Sequence, residues 1–281
     1  MLVVKADLGL QPGPMDTPAL QMPSFATLAC TQVGRVLLLT LNRPERRNAL
    51  STQLLQDLRT ALRFGEESAA VGAMVLSGAG DKAFCAGADL APPTGTGFLQ
   101  MHNDRQKFAD LLLQMHACRK PLVGAAQGHA LAGGLGVLLL CDWVVARDDA
   151  QYGTPEIKRG LFPMMVVAVL LRVLGRRRTL QLVLSGEPID GHTLALWGGC
   201  NAAVPADQVQ PQALAVAQRL SALSPAILAL GKQALAQAED MTFAQQLEYL
   251  RAQLSINTLA EDAAIGVMAF FQKTSPQWVG R

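Results

Sequence analysis

Apolar residues along this chain fall into two rhythms. Short continuous runs at 36–41, 73–77, 122–126 and 142–146 are bounded by turn-prone residues and predict buried strands. The first belongs to residues 31–42, two short strands that bend around Gln32-Val33-Gly34-Arg35. Longer stretches carry helical spacing instead. Leu54, Leu55, Leu58 and Leu62 share one side of a helix that Ser51 caps; Pro44 holds Arg43 out of helical geometry, and Gly65 is the expected stop. Residues 108–117 predict a second helix ending before Pro121, residues 135–141 a third, and 161–174 with 176–184 a long apolar one ahead of a turn at 187–191. Val204-Pro205 closes the strand-bearing part. Beyond it come four amphipathic helices: Pro211 opens the first, Ser224-Pro225 caps the second, and the pairs Thr242/Gln245 and Thr258/Glu261 form capping boxes for the last two. Phe243, Leu247, Leu250 and Leu254 make one helical stripe and Ala264, Val267, Met268 and Phe271 another, suited to core and subunit contact.

Two of the predicted strands run into small residues. Residues 121–156 organise the chain: after the strand at 122–126 come Gly128, Ala130, Ala132, Gly133 and Gly134, then an apolar helix. In residues 83–90 a strand leads into Ala86, Gly87 and Ala88, with Asp89 where a further helix would begin. A turn without side chains lets a ligand reach the backbone, and the first amides of a helix have no partner inside it. If the strands are sheet neighbours, both turns present N–H groups to one point, as a reaction through an enolate or other oxyanion requires. One such donor is commonly worth about 3 to 4 kcal/mol of transition-state stabilisation. The alternative is two unrelated packing turns. Between them, residues 91–105 hold Pro and Gly and predict a loop that either lines a substrate pocket or makes a surface excursion. Glu156 follows Pro155, near Tyr152 and Ile157. A carboxyl group held among such neighbours has a raised pKa and exchanges protons near neutrality; as the first-turn acid of a helix it would serve the dipole instead.

Composition changes this picture at a few points. Half of the 281 residues are hydrophobic and only 16% are charged, so part of the apolar surplus is expected between subunits. A net charge of +2 with few aromatics argues against a nucleic-acid partner, and the run Arg176-Arg177-Arg178 reads as a solvated helix end. The five cysteines, Cys30, Cys85, Cys118, Cys141 and Cys200, contain no CxxC pair, and the four histidines form no ligand pattern, with His102, His116 and His129 each isolated. A reducing, cytoplasmic setting without structural metal is expected. No apolar run spans a bilayer, and the first residues lack a basic head before an apolar stretch, so neither membrane insertion nor secretion is expected; residues 1–21 read as a loose lead-in. The cluster Gly133-Gly134-Leu135-Gly136 misses the GxGxxG spacing of a dinucleotide fold, and no GK[ST] follows it.

The ordered segments LNRPERRNAL (41–50), AFCAGADL (83–90), QGHALAGGLG (127–136) and YGTPEIKRGLFP (152–163) resemble the enoyl-CoA hydratase/isomerase, or crotonase, family from about Ser24 to the C-terminus. The resemblance implies an α/β fold, a crotonase-like spiral of ββα repeats with a helical C-terminal trimerisation region. It divides the chain into a lead-in (1–23), a core bearing the CoA-thioester site (24–205) and oligomerising helices (206–281). It also implies a homotrimer or a hexamer built as a dimer of trimers, an acyl-CoA thioester substrate, and no cofactor beyond the coenzyme A that the substrate carries. The family's two oxyanion-hole amides fall on Ala88 and Gly133, and its acid/base glutamate falls on Glu156. Ala88, Asp89, Leu90 and Ala91 would run beside the CoA moiety. Glu45, Arg46 and Ala49 would lie near adenine and pantetheine, and Lys273 matches a lysine that reaches the CoA phosphates across a subunit contact.

This chain departs from the family's pattern at Gly136, where hydratases usually carry a second glutamate, and at Glu45 and Ala91, where lysines commonly touch the phosphates. Arg46 or Arg47 would compensate for the lysines. Syn hydration is easiest with two carboxyl groups, whereas one suffices to shift a double bond. Hydration of a 2-enoyl-CoA is expected on family frequency, the missing group coming from residues 91–105. Δ3-Δ2 isomerisation is the alternative on mechanism, and a non-catalytic binding member, RNA-binding or otherwise, is the third. The residues that would line an acyl pocket show no pattern from which chain length or branching can be read.

Overall fold

The computed structural model describes residues 22–89 and 97–281. A hairpin of β1 (Leu28–Val33) and β2 (Val36–Leu41) precedes the first helix, α1 (Thr52–Glu67). The chain then repeats strand, strand, helix: β3 (Ala73–Gly78), β4 (Ala83–Cys85) and α2 (Phe98–His116); β5 (Leu122–Ala126), β6 (His129–Leu131) and α3 (Gly133–Leu139); β7 (Trp143–Arg147), β8 (Tyr152–Gly153) and α4 (Met164–Ser185). Then follow α5 (Gly191–Leu196), β9 (Ala202–Val204), α6 (Ala206–Ser221), α7 (Pro225–Ala238), α8 (Phe243–Leu259) and α9 (Glu261–Gln272). This is the expected ββα spiral. The first strand of each repeat joins one sheet, in the order β1-β2-β3-β5-β7-β9, and the second joins a smaller sheet, β4-β6-β8. All pairs beyond the hairpin are parallel.

The apolar runs form strands because both faces of the large sheet are covered. Leu37, Leu39, Leu41, Met74, Leu76 and Leu122 point into a core shared with Leu54 and Leu58 of α1 and Leu135 and Leu138 of α3. The alternate residues Val36, Val75, Val123 and Val145 meet Val209, Ala213 and Val216 of α6 on the other face. Ser51 caps α1 as its position predicts, its hydroxyl accepting from Leu54 N at 3.2 Å.

Several expected boundaries move, each for a local reason. Gly65 does not end α1; it lies inside, where a Cβ would come within 2.4 Å of Met74 Sδ, so it serves close packing against β3. The helix expected at 108–117 begins at Phe98, because from there to His116 no Pro or Gly interrupts it, and Arg59 of α1 ties it through Asp110 at 3.2 Å. The helix expected to begin at Asp89 would lie in residues 90–96, outside the described residues. Pro211 lies inside α6 rather than opening it, in a turn where its missing N–H forfeits a single bond. The Thr242/Gln245 box forms, but Thr258 remains within α8 and donates to Ser255 O at 2.8 Å, so α9 starts from Ala260 without a side-chain cap. Arg178 is not a solvated end: α4 kinks at Gly175, and the Arg178 guanidinium stacks 5.8 Å from the Trp197 ring and donates to Trp197 O. The stripes of α8 and α9 are not core, since Phe243, Leu247, Leu254, Val267 and Phe271 are all exposed on the single chain. Among the described residues, no single helix is long and apolar enough to cross a membrane.

Candidate active site

The small sheet aligns the chemistry. β4 and β6 pair in parallel, with Cys85 opposite Ala130, so the turns that follow both strands leave the sheet at the same end. Their backbones touch. Gly87 has φ +92°, and a Cβ there would come within 2.5 Å of Ala132 Cβ and 3.3 Å of Gly133 N; one at Gly134 would lie 2.3 Å from Cys85 O. Ala132, just ahead of Gly133, takes φ 54° and ψ −129°, a sparsely populated conformation for a residue with a Cβ. β8 brings the third turn: Leu131 pairs with Gly153, and Ala132 N–H donates to Gly153 O at 2.8 Å, which leaves Thr154, Pro155 and Glu156 beside the Gly133 turn.

Leu50 fixes the Ala88 side. Its N–H donates to Gly87 O at 2.8 Å and its carbonyl accepts from Asp89 N at 3.2 Å, a bridge that leaves the intervening Ala88 N–H unused. Among the described residues, neither the Ala88 N–H nor the Gly133 N–H makes a hydrogen bond. Leu50 and Phe108 wall the Gly133 side, their nearest atoms 3.1 and 3.2 Å from where a Cβ would stand. Cys85, beneath the turns, stays a neutral thiol because burial pushes its pKa up to about 12, which removes it as a nucleophile.

The segment from Arg43 to Leu50 is folded against this edge by two residues that motif spacing did not single out. Asn48, fully buried at φ 55°, donates from Nδ2 to Ala79 O and Ala83 O and accepts from Arg43 N. Arg43 in turn donates to Ala49 O at 2.7 Å and to Asp89 at 2.9 Å, so Asp89 is held by an ion pair. Glu45 and Arg46 are exposed on the adjoining 3-10 turn, while Ala49 is buried. Leu90 and Ala91 lie outside the described residues. Lys273 is not brought to these turns within one chain: it caps α9, which packs chiefly on α7 and α8.

Glu156 sits on the 3-10 helix Pro155–Arg159, half-buried, with Oε2 buried and unpaired. Burial raises its pKa above the ordinary carboxylate value, opposed by a backbone hydrogen bond and by Arg159. Tyr152 is buried but spends its hydroxyl on Arg147 O at 2.9 Å, and Ile157 is exposed, so neither is a direct partner of the carboxyl group. At Gly136 a Cβ would have ordinary contacts, the nearest being the Val166 methyls at 3.5 Å. Among the described residues, no three His, Cys, Asp or Glu gather as metal ligands, and His129 Nδ1 is occupied by Gln151 N–H at 2.9 Å. A hollow of about 390 Å³ opens elsewhere, between His116, Lys232 and Glu239, but its charges are already paired, Lys232 with Asp142 and Glu239 with Arg172.

Three turns of a ββα spiral thus leave the small sheet at one end, two of them with an amide that has no partner among the described residues and the third leading to a carboxyl group of raised pKa. The chain belongs to the enoyl-CoA hydratase/isomerase family, whose model matches residues 31–281. It is similar to a probable enoyl-CoA hydratase of Rhizobium meliloti, 32% identical over 92% of this chain and 100% of that one. It is 35% identical to the 2,3-dehydroadipyl-CoA hydratase of Escherichia coli, again over 92% and 100%. The crystal structure of an enoyl-CoA hydratase from Bacillus anthracis superposes with a TM-score of 0.86 at 26% identity, covering 91% of this chain and 100% of that one.

Proposed function

We propose that this chain hydrates a 2-enoyl-CoA thioester. The observation that supports the assignment is that the Ala88 and Gly133 amides, on neighbouring turns, have no partner among the described residues, while the third turn from the same end of the small sheet leads to Glu156. The two N–H groups donate to the thioester carbonyl oxygen as it gains enolate charge, where preorganised donors contribute most. Glu156 takes the proton of a water whose oxygen bonds to C3 and returns that proton to C2. Burial supports this role, because it raises the carboxyl pKa above the ordinary carboxylate value and so makes the carboxylate a stronger proton acceptor. Asp89, steadied by Arg43, and the following Leu90 and Ala91 would flank the CoA moiety, with Glu45, Arg46 and Ala49 near adenine and pantetheine. Arg46 and the exposed Arg47 offset the acidic Glu45 there. No cofactor enters beyond the coenzyme A of the substrate, and the five unpaired cysteines support a reducing, cytoplasmic setting.

Gly136 favours the one competing reaction, isomerisation, since one carboxyl group suffices to move a double bond. The names of the relatives favour hydration. The assay separates them: absorbance of a conjugated trans-2-enoyl-CoA should fall on adding the protein. Appearance of that absorbance from a 3-enoyl-CoA, with the 2-enoyl ester untouched, would make it an isomerase, and inertness to both would leave a binding protein.

We further propose a homotrimer or a dimer of trimers, with Lys273 reaching the CoA phosphates of a neighbouring copy. Exposure of 75% at Phe243 and Phe271 and 64% at Leu254 supports burial of this face against other subunits. Light scattering should give a mass of three or six chains, and Leu254→Asp with Phe271→Asp should lower it. A wild-type monomer would contradict this assembly.

A further inference from the structure

We infer that the Thr154 hydroxyl orients the water that adds to the double bond, standing in for the carboxyl group missing at Gly136, an inference that rests on the hydratase reading. Thr154 is fully buried, and its Oγ1 makes no hydrogen bond with any described group. Among the described residues, the buried side-chain polar atoms left in that condition are Thr154 Oγ1, Glu156 Oε2 and Arg35 Nε. Two of them flank Pro155, on the turn that β8 delivers beside Gly133, and the third lies away in the β1–β2 turn.

A structural explanation is available for a threonine just before a helical proline, and it fails here. Thr154 holds the N-cap position of Pro155–Arg159, where a hydroxyl normally accepts from an amide of the first turn, yet it makes no such bond. A hydroxyl carries one donor and two acceptor sites, and burying it unpaired is unfavourable. The hydroxyl and the carboxylate oxygen belong to residues two apart on one turn, each buried and without a described partner, and a water between them would satisfy both. Where a side chain at Gly136 would begin, the three nearest atoms all belong to the apolar Val166.

The chemistry needs no further group. Thr154 Oγ1 accepts one O–H of the water, and Glu156 accepts the other, which fixes the lone pair toward C3. As the C3–O bond forms, the proton passes to Glu156 and the double-bond electrons move into the thioester carbonyl. Collapse of that enolate takes the proton from Glu156 at C2. Thr154 neither gains nor loses a proton, so it is a positioning residue.

Thr154→Val keeps the shape and removes the hydroxyl, and Thr154→Ser restores it. Three readouts apply: kcat and KM for hydration of a trans-2-enoyl-CoA, and exchange of the C2 protons of a saturated acyl-CoA in deuterated water, which needs Glu156 and the amides but no added water. For the valine variant kcat should fall about tenfold to a hundredfold, as for loss of a positioning contact, with KM and proton exchange within about twofold of wild type. The serine variant should recover most of kcat. A valine variant that hydrates at the wild-type rate overturns the inference. So does a parallel loss of hydration and exchange, or failure of serine to rescue, since either marks a purely structural threonine. Wild-type protein inert toward the enoyl ester would sink the hydratase reading itself, and the inference with it.

Discussion

Replacing Glu156 by Gln should lower turnover about 100-fold to 10,000-fold, the range over which a positioned acid or base contributes, while affinity for a CoA thioester stays within a few-fold. The amide is close in size to the carboxyl group and keeps its place on Pro155–Arg159, but it cannot carry the proton between water and C2. A drop in affinity equal to the drop in turnover would mean that Glu156 binds substrate rather than moving protons, and unchanged turnover would remove it from the chemistry. The pH dependence follows from burial, which raises the carboxyl pKa above its ordinary value. Glu156 must be ionised to accept the first proton, so kcat/KM should lose activity as pH falls through a value above the usual carboxylate range. Stability carries the same signature with a definite sign. The folded state binds this proton more tightly than the unfolded state, so Glu156 destabilises the fold increasingly as pH rises from the unfolded carboxylate pKa through the raised folded one. The Gln variant escapes this penalty. Its Tm should therefore exceed the wild-type Tm above that window, with the difference closing at lower pH.

What could be read ahead of the fold, and what could not, divides along the length of the elements. Runs such as Leu122–Ala126 are buried on both faces of a parallel sheet, and their uninterrupted apolar character announces this. The glycines at 87 and 133 were legible as backbone approach points, because small residues after a strand have few other uses. The strands that make those turns converge were not legible. His129–Leu131 and Tyr152–Gly153 are too short to show a period, and they are defined by partners far along the chain. The same distance hid the Arg43–Asp89 pair, which joins residues 46 apart. Glu156 shows a different limit. Its raised pKa was expected from Tyr152 and Ile157, but one spends its hydroxyl on Arg147 O and the other is exposed, so general burial provides the shift. Thr154 was invisible as a candidate because a threonine before a proline reads as an ordinary cap. Only the absence of a capping bond in the folded chain separates it from one.

Gly87→Ala should be the most damaging single-methyl change at the site, because two independent penalties meet there. The φ of +92° is hostile to any L side chain, and such strain costs about 1 to 3 kcal/mol. The added methyl would also stand 2.5 Å from Ala132 Cβ and 3.0 Å from Leu131 O, both belonging to the strand and turn that aim Gly133. Neither neighbour is the end of a flexible side chain, so relief requires the two turns to move apart, and overpacking of this kind costs roughly another 1 to 3 kcal/mol. Their sum is a large part of the stability of about 5 to 15 kcal/mol typical of a native protein. Whatever folds should have the Gly133 amide displaced from the Ala88 amide. Loss of one such donor lowers kcat about 100-fold to 1,000-fold. Gly34→Ala separates the two penalties: its φ is +57°, but a Cβ there meets nothing within 4 Å. That variant should lose a little Tm from backbone strain and keep full turnover. If Gly87→Ala behaved like Gly34→Ala, with a modest Tm loss and undiminished turnover, the close approach of the two turns would have no bearing on catalysis. The Ala88 and Gly133 amides could then not be acting on one carbonyl oxygen, since a separation forced by the methyl must change the distance from that oxygen to at least one of them.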